Sequence, residues 1–366
     1  MTAPDWLRAH AGRLVVMGFG AALLLLLWGM ASPRLALAGW LAGLVFWLGI
    51  VLGAYVLLAV HALTGGVWLA PLFPVLAPSV ATLPVFGLLA LPLLLDAAVV
   101  WPWISDPSLA KHAFVARWYL NLPGFALRSA VALAGWSVFG LLLVGSGARR
   151  PGVGAPALVF HAVAVTFFGV DWILSLEPPF RSTVFGASLG LTQLLAALAW
   201  VALLEPEPQG FRGKAGDLAR LMMATALGAI YLGFAQFLVA WYGNLPDKAR
   251  WFLQREELPW ILLEGTSVAL SAILPVAALL PALMRRSPRA LAWIGAGVLL
   301  GVWLNIVWLV GPPFGPWAIA SAALGTIAQG GIWMGLAGGP FAARLAREVP
   351  HGASRVPCLM VVLRLP

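Results

Sequence analysis

The sequence predicts an all-α polytopic membrane protein of about ten transmembrane helices, built as two parallel-repeat four-helix bundles plus two peripheral helices. Three observations support this prediction. Hydrophobic residues make up 62% of the 366 residues and charged residues only 10%, whereas soluble domains carry roughly 25% charged residues. The apolar residues form long blocks, and a helix needs about 20 such residues to cross the hydrocarbon core. A motif in the first half of the chain also recurs in the second half.

Ten apolar blocks define the predicted spans. The first follows Arg13 and is expected to remain as a helix, because another hydrophobic block comes almost at once. The second is long enough to tilt or protrude, and the prolines between 66 and 79 break the approach to the third. The spans are 14–31, 36–62, 80–102, 122–144, 156–177, 183–204, 219–242, 259–284, 290–311 and 316–338.

The formal net charge is +9, with Lys and Arg spread over many short loops. Such scattered charge sets membrane topology, so no nucleic-acid partner is expected. The N-terminus, the even-numbered loops and the C-terminal tail hold 14 of the 22 basic residues, which predicts that both termini are cytoplasmic. Cys358 is the single cysteine, which excludes an internal disulfide, a covalently attached c-type haem and an iron–sulfur ligand set.

Two matches at nearly the same offset indicate an internal duplication. Residues 116–121 read Ala-Arg-Trp-Tyr-Leu-Asn and residues 249–254 read Ala-Arg-Trp-Phe-Leu-Gln. Pro-Pro-Phe closes the fifth span at 178–180 and the ninth at 312–314. Units of four helices insert in the same direction and are related by a pseudo-twofold axis along the membrane normal. The predicted parts are a first helix in 1–35, a first unit in 36–182, a second unit in 183–314, and a tenth helix with a cytoplasmic tail in 315–366.

The duplication also relates single residues of the two units. Pro123 aligns with Pro259, so Arg128 and Glu264 are equivalent because each lies five residues further on. Asp171 and Asn305 are likewise equivalent, because each precedes its Pro-Pro-Phe by seven residues. Equivalent positions of the two units therefore differ in charge: Arg128 is basic where Glu264 is acidic, and Asp171 is acidic where Asn305 is neutral.

Ionisable side chains inside spans are costly, and each is a candidate for function. The candidate proton path comprises Asp171, Glu264, Asp96, Arg128, His161 and His61. A quinone-headgroup site formed by Gln236, Arg128 and Asp171 is an alternative, and so is a structural charge cluster that locks the bundles together. No catalytic set and no metal cluster is recognisable, and Glu177 is expected to be a solvated interfacial charge.

His61 and His161 are candidate haem ligands, since paired intramembrane histidines can bind a b-type haem. Their spans place them towards the cytoplasmic side at roughly similar depth. Because nothing repeats this pair in the second unit, a proton relay or helix-bridging hydrogen bonds are the favoured interpretation.

Several longer motifs resemble a known family. They read Tyr-Gly-Asn-Leu-Pro-Asp at 242–247, Asp-Trp-Ile-Leu-Ser-Leu-Glu-Pro at 171–178, His-Ala-Leu-Thr-Gly-Gly-Val-Trp at 61–68 and Trp-Tyr-Leu-Asn at 118–121. These motifs, spread over most of spans two to nine, are similar to ActF, the membrane subunit of alternative complex III and a relative of NrfD/PsrC-type membrane subunits.

The resemblance implies a subunit of a respiratory quinol:cytochrome c oxidoreductase in the bacterial cytoplasmic (inner) membrane. It implies no cofactor in this chain, which would contribute a scaffold and a proton path within the lipid. Quinol, c-type haem and iron–sulfur clusters would belong to partners: an NrfD-like quinol-binding subunit, an iron–sulfur subunit, a multihaem cytochrome c and, in some complexes, a terminal oxidase.

The chain departs from the family pattern at two places. Thr266, Ser267 and Ser271 occupy the stretch where the eighth span of the family usually carries a histidine, and Asn305 stands where an acidic residue is frequent. Asp171 and Glu264 are therefore the leading candidates for proton transfer.

Two other function classes stay open. A PsrC-like subunit would itself oxidise quinol, with Asp171 or His161 taking the proton and Gln236 or Arg128 orienting the headgroup. A secondary transporter would also contain repeats and midplane charges. Matched Gly/Pro interruptions, typical of transporter sites, are not apparent across these repeats.

Overall fold

A computed structural model describes residues 3–66, 68–69, 72–109, 112–146, 150–178, 180–204, 215–243 and 246–337. Every regular element within these ranges is helical. The C-terminal tail with Cys358, and parts of the motifs at 61–68 and 242–247, lie outside them. The helices are α1 (Ala3–Ala31), α2 (Pro33–Thr64), α3 (Phe73–Ala81), α4 (Leu83–Leu95), α5 (Ala97–Val100), α6 (Ala113–Trp118), α7 (Leu122–Ser146), α8 (Pro151–Phe168), α9 (Phe185–Leu204), α10 (Ala215–Tyr242), α11 (Pro246–Leu253), α12 (Trp260–Val268), α13 (Leu274–Leu279), α14 (Ala282–Arg286), α15 (Pro288–Val310) and α16 (Ala318–Ala337).

The polytopic helical fold is confirmed. Within the described ranges, eight helices are long and apolar enough to cross a membrane, and the pair α3–α4, bent by 45°, makes a ninth if it is counted as one span. The tenth predicted span, 316–338, is the helix α16, which is not among these eight. It contains the polar residues Ser321, Thr326 and Gln329.

The helix α2 lies at the centre of the molecule and is buried along most of its length. It packs on α9, α16, α8, α4, α7 and α15. A helix that is apolar on all sides is expected in such a position. A Cβ added at Gly53 would lie 2.0 Å from the carbonyl oxygen of Gln193, so α2 and α9 meet backbone to backbone.

The tenth predicted helix, α16, packs on α2 and α1, whereas α1 exposes much of its apolar surface. A Cβ on Gly325 of α16 would lie 2.1 Å from the carbonyl oxygen of Gly39 of α2. Ser321 Oγ donates to the Leu35 carbonyl oxygen at 2.6 Å, and Gln329 Nε2 donates to that of Trp40 at 2.6 Å. Small residues thus permit close approach, and the backbone of α2 satisfies polar groups of α16.

The helix neighbours of the first unit recur in the second. In the first unit α2 packs on α4, α7 and α8, and α7 packs on α4 and α8. In the second unit α9 packs on α10 and α15, α12 packs on α15, and α10 packs on α13 and the turn Ala269–Ile273. The short helices α6 and α11, which contain most of the two copies of the repeated motif, each precede the third long helix of a unit. The two units meet mainly where α2 contacts α9.

Two long helices contain a π-helical turn. Gly169–Ile173 continues α8, and Ala269–Ile273 separates α12 from α13. Such turns interrupt the regular hydrogen bonding of a helix and are frequent at functional sites. Asp171 lies in the first turn and Ser271 in the second.

Candidate functional site

The first unit contains a bidentate ion pair between Arg128 and Asp171. Arg128 Nε donates to Asp171 Oδ2 at 2.7 Å, and Nη2 donates to Oδ1 at 3.1 Å. Nη2 also donates to the Tyr119 carbonyl oxygen at 2.9 Å. Asp171 is only 1% exposed. Because bidentate charge-assisted pairs are among the stronger hydrogen bonds in proteins, the buried charge of Asp171 is directly compensated.

Tyr119 completes this cluster from the segment between α6 and α7. The Arg128 guanidinium carbon lies 4.1 Å from the centroid of the Tyr119 ring. Burial raises the pKa of Tyr119, and the negative charge of Asp171 raises it further. The hydroxyl therefore stays protonated at neutral pH and interacts with the Asp171 carboxylate as a donor.

The second unit has a carboxylate–amide pair at the corresponding place. Asn305 Nδ2 donates to Glu264 Oε2 at 3.3 Å. Glu264 lies on α12 and Asn305 on α15, as their equivalents Arg128 and Asp171 lie on α7 and at the end of α8. Asn305 carries no charge, so it does not neutralise Glu264 as Arg128 neutralises Asp171.

A second buried ion pair connects the two units. Arg255, 2% exposed, donates through Nη2 to Glu177 Oε2 and through Nη1 to the Trp251 carbonyl oxygen at 2.9 Å. Its guanidinium carbon lies 3.6 Å from the Trp251 ring centroid and 5.5 Å from that of Trp308. Burial lowers the pKa of Arg255, while the carboxylates of Glu177 and Glu264 oppose that shift. The expectation that Glu177 is a solvated charge was wrong, because this residue pairs with a buried guanidinium of the other unit.

Arg255 was missed by the sequence analysis. It lies in the polar run Gln-Arg-Glu-Glu at 254–257, which has the composition of a solvated loop. A usable signal is the spacing of four residues between Trp251 and Arg255, which brings ring and guanidinium together where α11 ends.

A cavity of about 420 Å³ lies inside the second unit, between α9, α10, α12 and α15. Its walls are mostly apolar and aromatic, and its volume is in the range of small-molecule sites. Gln236 faces it and accepts a hydrogen bond from Ser182 Oγ at 2.7 Å. The polar and charged residues of the lining are Ser188, Thr192, Gln236, Arg255, Glu256, Glu264, Ser267, Ser271 and Asn305.

The residues considered for a quinone headgroup are distributed over both units. Gln236 lines the cavity, whereas Arg128 and Asp171 pair with each other in the first unit. Of the six residues considered for a proton path, Glu264 is the one that lines the cavity. Asp96 is exposed at the junction of α4 and α5.

The two histidines do not face each other, which corrects the expectation of similar depth. His161 is buried on α8, with its ring centroid 5.8 Å from that of Tyr55 and 6.1 Å from that of Trp136. His61 lies six residues beyond Tyr55 on α2, a rise of about 9 Å along a helix, and its ring contacts Trp68 at 5.6 Å. The two side chains therefore do not form a pair of axial haem ligands.

Within the described ranges, no three His, Cys, Asp or Glu side chains cluster as a metal-binding group. Comparison with known proteins identifies no matching family model. It also identifies no matching curated protein.

Proposed function

We propose that this chain is a membrane subunit of a quinol-oxidising respiratory complex, without a redox centre of its own, and that it provides a proton path and a scaffold. The observation that carries the proposal is the position of Glu264. Its carboxylate borders an apolar cavity beside a neutral amide partner. A carboxylate in such surroundings binds and releases protons more readily than one held in an ion pair.

Asp171 has a different role in this proposal. Its two oxygens accept hydrogen bonds from Arg128, and its side chain is almost fully buried. An ion pair of this kind holds two helices in a defined arrangement, and removing one partner leaves the other charge uncompensated. Asp171 therefore stabilises the first unit, and Glu264 carries the proton.

The respiratory context rests on the motifs that resemble ActF at 171–178 and 242–247. In this proposal the chain lies in a bacterial cytoplasmic membrane. It assembles with an NrfD-like quinol-binding subunit, an iron–sulfur subunit and a multihaem cytochrome c. A carboxylate near a quinol-oxidising partner would accept protons that the reaction releases.

The proposal is tested by comparing Glu264→Gln with Asp171→Asn in the complex purified from its native membrane. Because Gln keeps the size of Glu but cannot ionise, Glu264→Gln is expected to leave the thermal unfolding temperature unchanged. The same variant should lower proton release during quinol turnover by roughly tenfold or more. Asp171→Asn should instead lower the unfolding temperature.

Two results would contradict the proposal. One is purification of the chain in mild detergent without any subunit that shows haem or iron–sulfur absorption. The other is unchanged proton release and quinol turnover in Glu264→Gln at wild-type subunit composition.

A further inference from the structure

Among the described residues that line the cavity of the second unit, Arg255 is the only one with a positive charge. The acidic residues of the lining are Glu264 and Glu256, and Glu256 is exposed, so solvent screens its charge. The helices α9, α10 and α15 contribute neutral side chains to the lining, of which the polar ones are Ser188, Thr192, Gln236 and Asn305. The charge that acts most directly on Glu264 from the cavity walls is therefore that of Arg255.

The guanidinium of Arg255 has one donor without a partner. Nη2 donates to Glu177 and Nη1 to the Trp251 carbonyl oxygen. The Nε atom is buried and has no hydrogen-bond partner in the part of the chain that the structure describes. Arg128, by comparison, donates two hydrogen bonds to Asp171. Glu177 therefore uses only part of the hydrogen-bonding capacity of Arg255.

The carboxylate of Glu264 can also accept further hydrogen bonds. Asn305 donates to its Oε2, and no second hydrogen bond to this carboxylate is found within the described ranges. Glu264 lies four residues beyond Trp260, where α12 begins, which is a rise of about 6 Å along the helix. It is therefore near the end of α12 that follows the segment with Arg255.

The helix α15 contacts both groups. Its Trp308 ring centroid lies 5.5 Å from the guanidinium carbon of Arg255. Asn305, which donates to Glu264, is three residues earlier, so the two side chains lie on one face of α15. The charges of Arg255 and Glu264 interact across this short distance, because the carboxylate opposes the lowering of the Arg255 pKa by burial.

One buried cation thus interacts with two carboxylates, one from each unit. The cluster of Glu177, Arg255 and Glu264 is neutral when Glu264 is protonated, and it carries one negative charge when Glu264 is ionised. A buried net charge is costly, and a nearby cation reduces that cost. The ion pair with Glu177 offsets part of the charge of Arg255 and so weakens its effect on Glu264.

We propose that Arg255 is the positioning residue for proton release at Glu264, and that its charge is divided between Glu264 and Glu177 of the first unit. When Glu264 gives its proton to water, the Nε–H of Arg255 donates to the ionised carboxylate, and the ion pair with Glu177 weakens. When Glu264 is protonated again, Arg255 pairs with Glu177 alone. Protonation in the second unit is thereby coupled to the ion pair that connects the units. This inference rests on the proposed function, in which Glu264 carries the proton.

The test measures the protonation of Glu264 in the full chain without its partners. The chain in lipid nanodiscs is titrated with pH, and infrared difference spectra record the C=O stretch of protonated carboxyl groups. The band that is absent in Glu264→Gln reports on Glu264. Arg255→Gln should shift the midpoint of this band to higher pH by about one unit or more, because an opposite charge favours the ionised form.

Three further variants separate a charge effect from a packing effect. Glu177→Gln should shift the midpoint to lower pH by about one unit, because it leaves the whole charge of Arg255 to Glu264. Arg255→Lys keeps the charge and should restore a midpoint close to the wild-type value. Arg250→Gln removes an exposed cation from α11 and should leave the midpoint unchanged. Loosened packing alone would not shift the midpoint in opposite directions.

The inference is overturned by an unchanged midpoint in Arg255→Gln at the wild-type unfolding temperature. If that variant does not fold, Glu177→Gln decides: a lower midpoint supports the role of Arg255, and an unchanged or higher one overturns it. Opposite shifts in nanodiscs, combined with wild-type proton release by Glu264→Gln in the intact complex, would reject the proton path and keep the role of Arg255. Lowered proton release in Glu264→Gln without any shift in Arg255→Gln or Glu177→Gln would keep the proton path and overturn this inference.

Discussion

At the scale of single residues, the partly buried guanidinium of Arg128 and the buried guanidinium of Arg255 have similar surroundings. Arg128 lies over the ring of Tyr119, and Arg255 lies over that of Trp251. Both rings belong to copies of the repeated motif. Both carboxylate partners, Asp171 and Glu177, come from the end of the fifth predicted span. One segment of the first unit therefore neutralises a cation in each unit.

The coupling between Arg128 and Asp171 can be measured with a double-mutant cycle. Arg128→Leu leaves the carboxylate of Asp171 buried without a cation and should lower the free energy of unfolding by about 3 kcal/mol or more. The double variant Arg128→Leu/Asp171→Leu should recover much of that loss, because no buried charge remains. Reversible unfolding in mixed detergent micelles measures these values. Additive effects of the two single variants would show that the pair contributes no coupling energy.

At the scale of elements, contacts between backbones determine how the central helices cross. The helix α2 approaches α9 at Gly53 and α16 at Gly39 and Gly43, where added Cβ atoms would overlap backbone atoms. Helix association inside lipid relies on such close packing, because lipid chains are as apolar as the side chains they replace. The glycines of α2 thus hold together both units and the last described helix.

Gly53 and Gly49 provide a matched pair for testing this contact. A Cβ at Gly53 would lie 2.0 Å from the backbone oxygen of Gln193, whereas one at Gly49 would lie 3.5 Å from the Gln193 side chain, an ordinary contact distance. Gly53→Ala should therefore destabilise the protein by about 1–3 kcal/mol, and Gly49→Ala should be neutral or slightly stabilising. Thermal unfolding of the two variants, followed by tryptophan fluorescence, checks this. Equal unfolding temperatures would contradict the direct contact of α2 with α9.

At the scale of the whole molecule, the duplication has produced two units with the same helix neighbours and different interiors. The first unit holds a compensated ion pair among packed aromatic rings. The second holds Glu264 beside a cavity. In the proposed function, the first unit therefore serves as the scaffold and the second unit carries the proton.

The predicted membrane orientation follows from the basic residues and concerns the whole chain. If both termini are cytoplasmic, Cys358 and a cysteine introduced as Thr2→Cys in a Cys358→Ser background should both resist a membrane-impermeant maleimide added outside intact spheroplasts. Both should react after permeabilisation. Labelling of Cys358 from outside, with residue 2 protected, would indicate an odd number of spans.

Several site residues could be identified from the sequence, but several of the contacts that they make could not. The repeat aligned Arg128 with Glu264 and Asp171 with Asn305. In the structure Arg128 pairs with Asp171 in the first unit, and Asn305 pairs with Glu264 at the corresponding place in the second. The role of Arg255 was not predictable from its polar neighbours, because its burial depends on rings that pack over it.

Hydropathy, charge distribution and motif spacing are local properties, so the amino-acid order alone specified the helical membrane class, the approximate spans and the duplication. Which charges are compensated, which interior is filled and which helix is buried depend on contacts between distant segments. The cavity beside Glu264 arises from the sizes of side chains on α9, α10, α12 and α15 together. That volume is a property of packed helices in three dimensions, and no single segment of the chain encodes it.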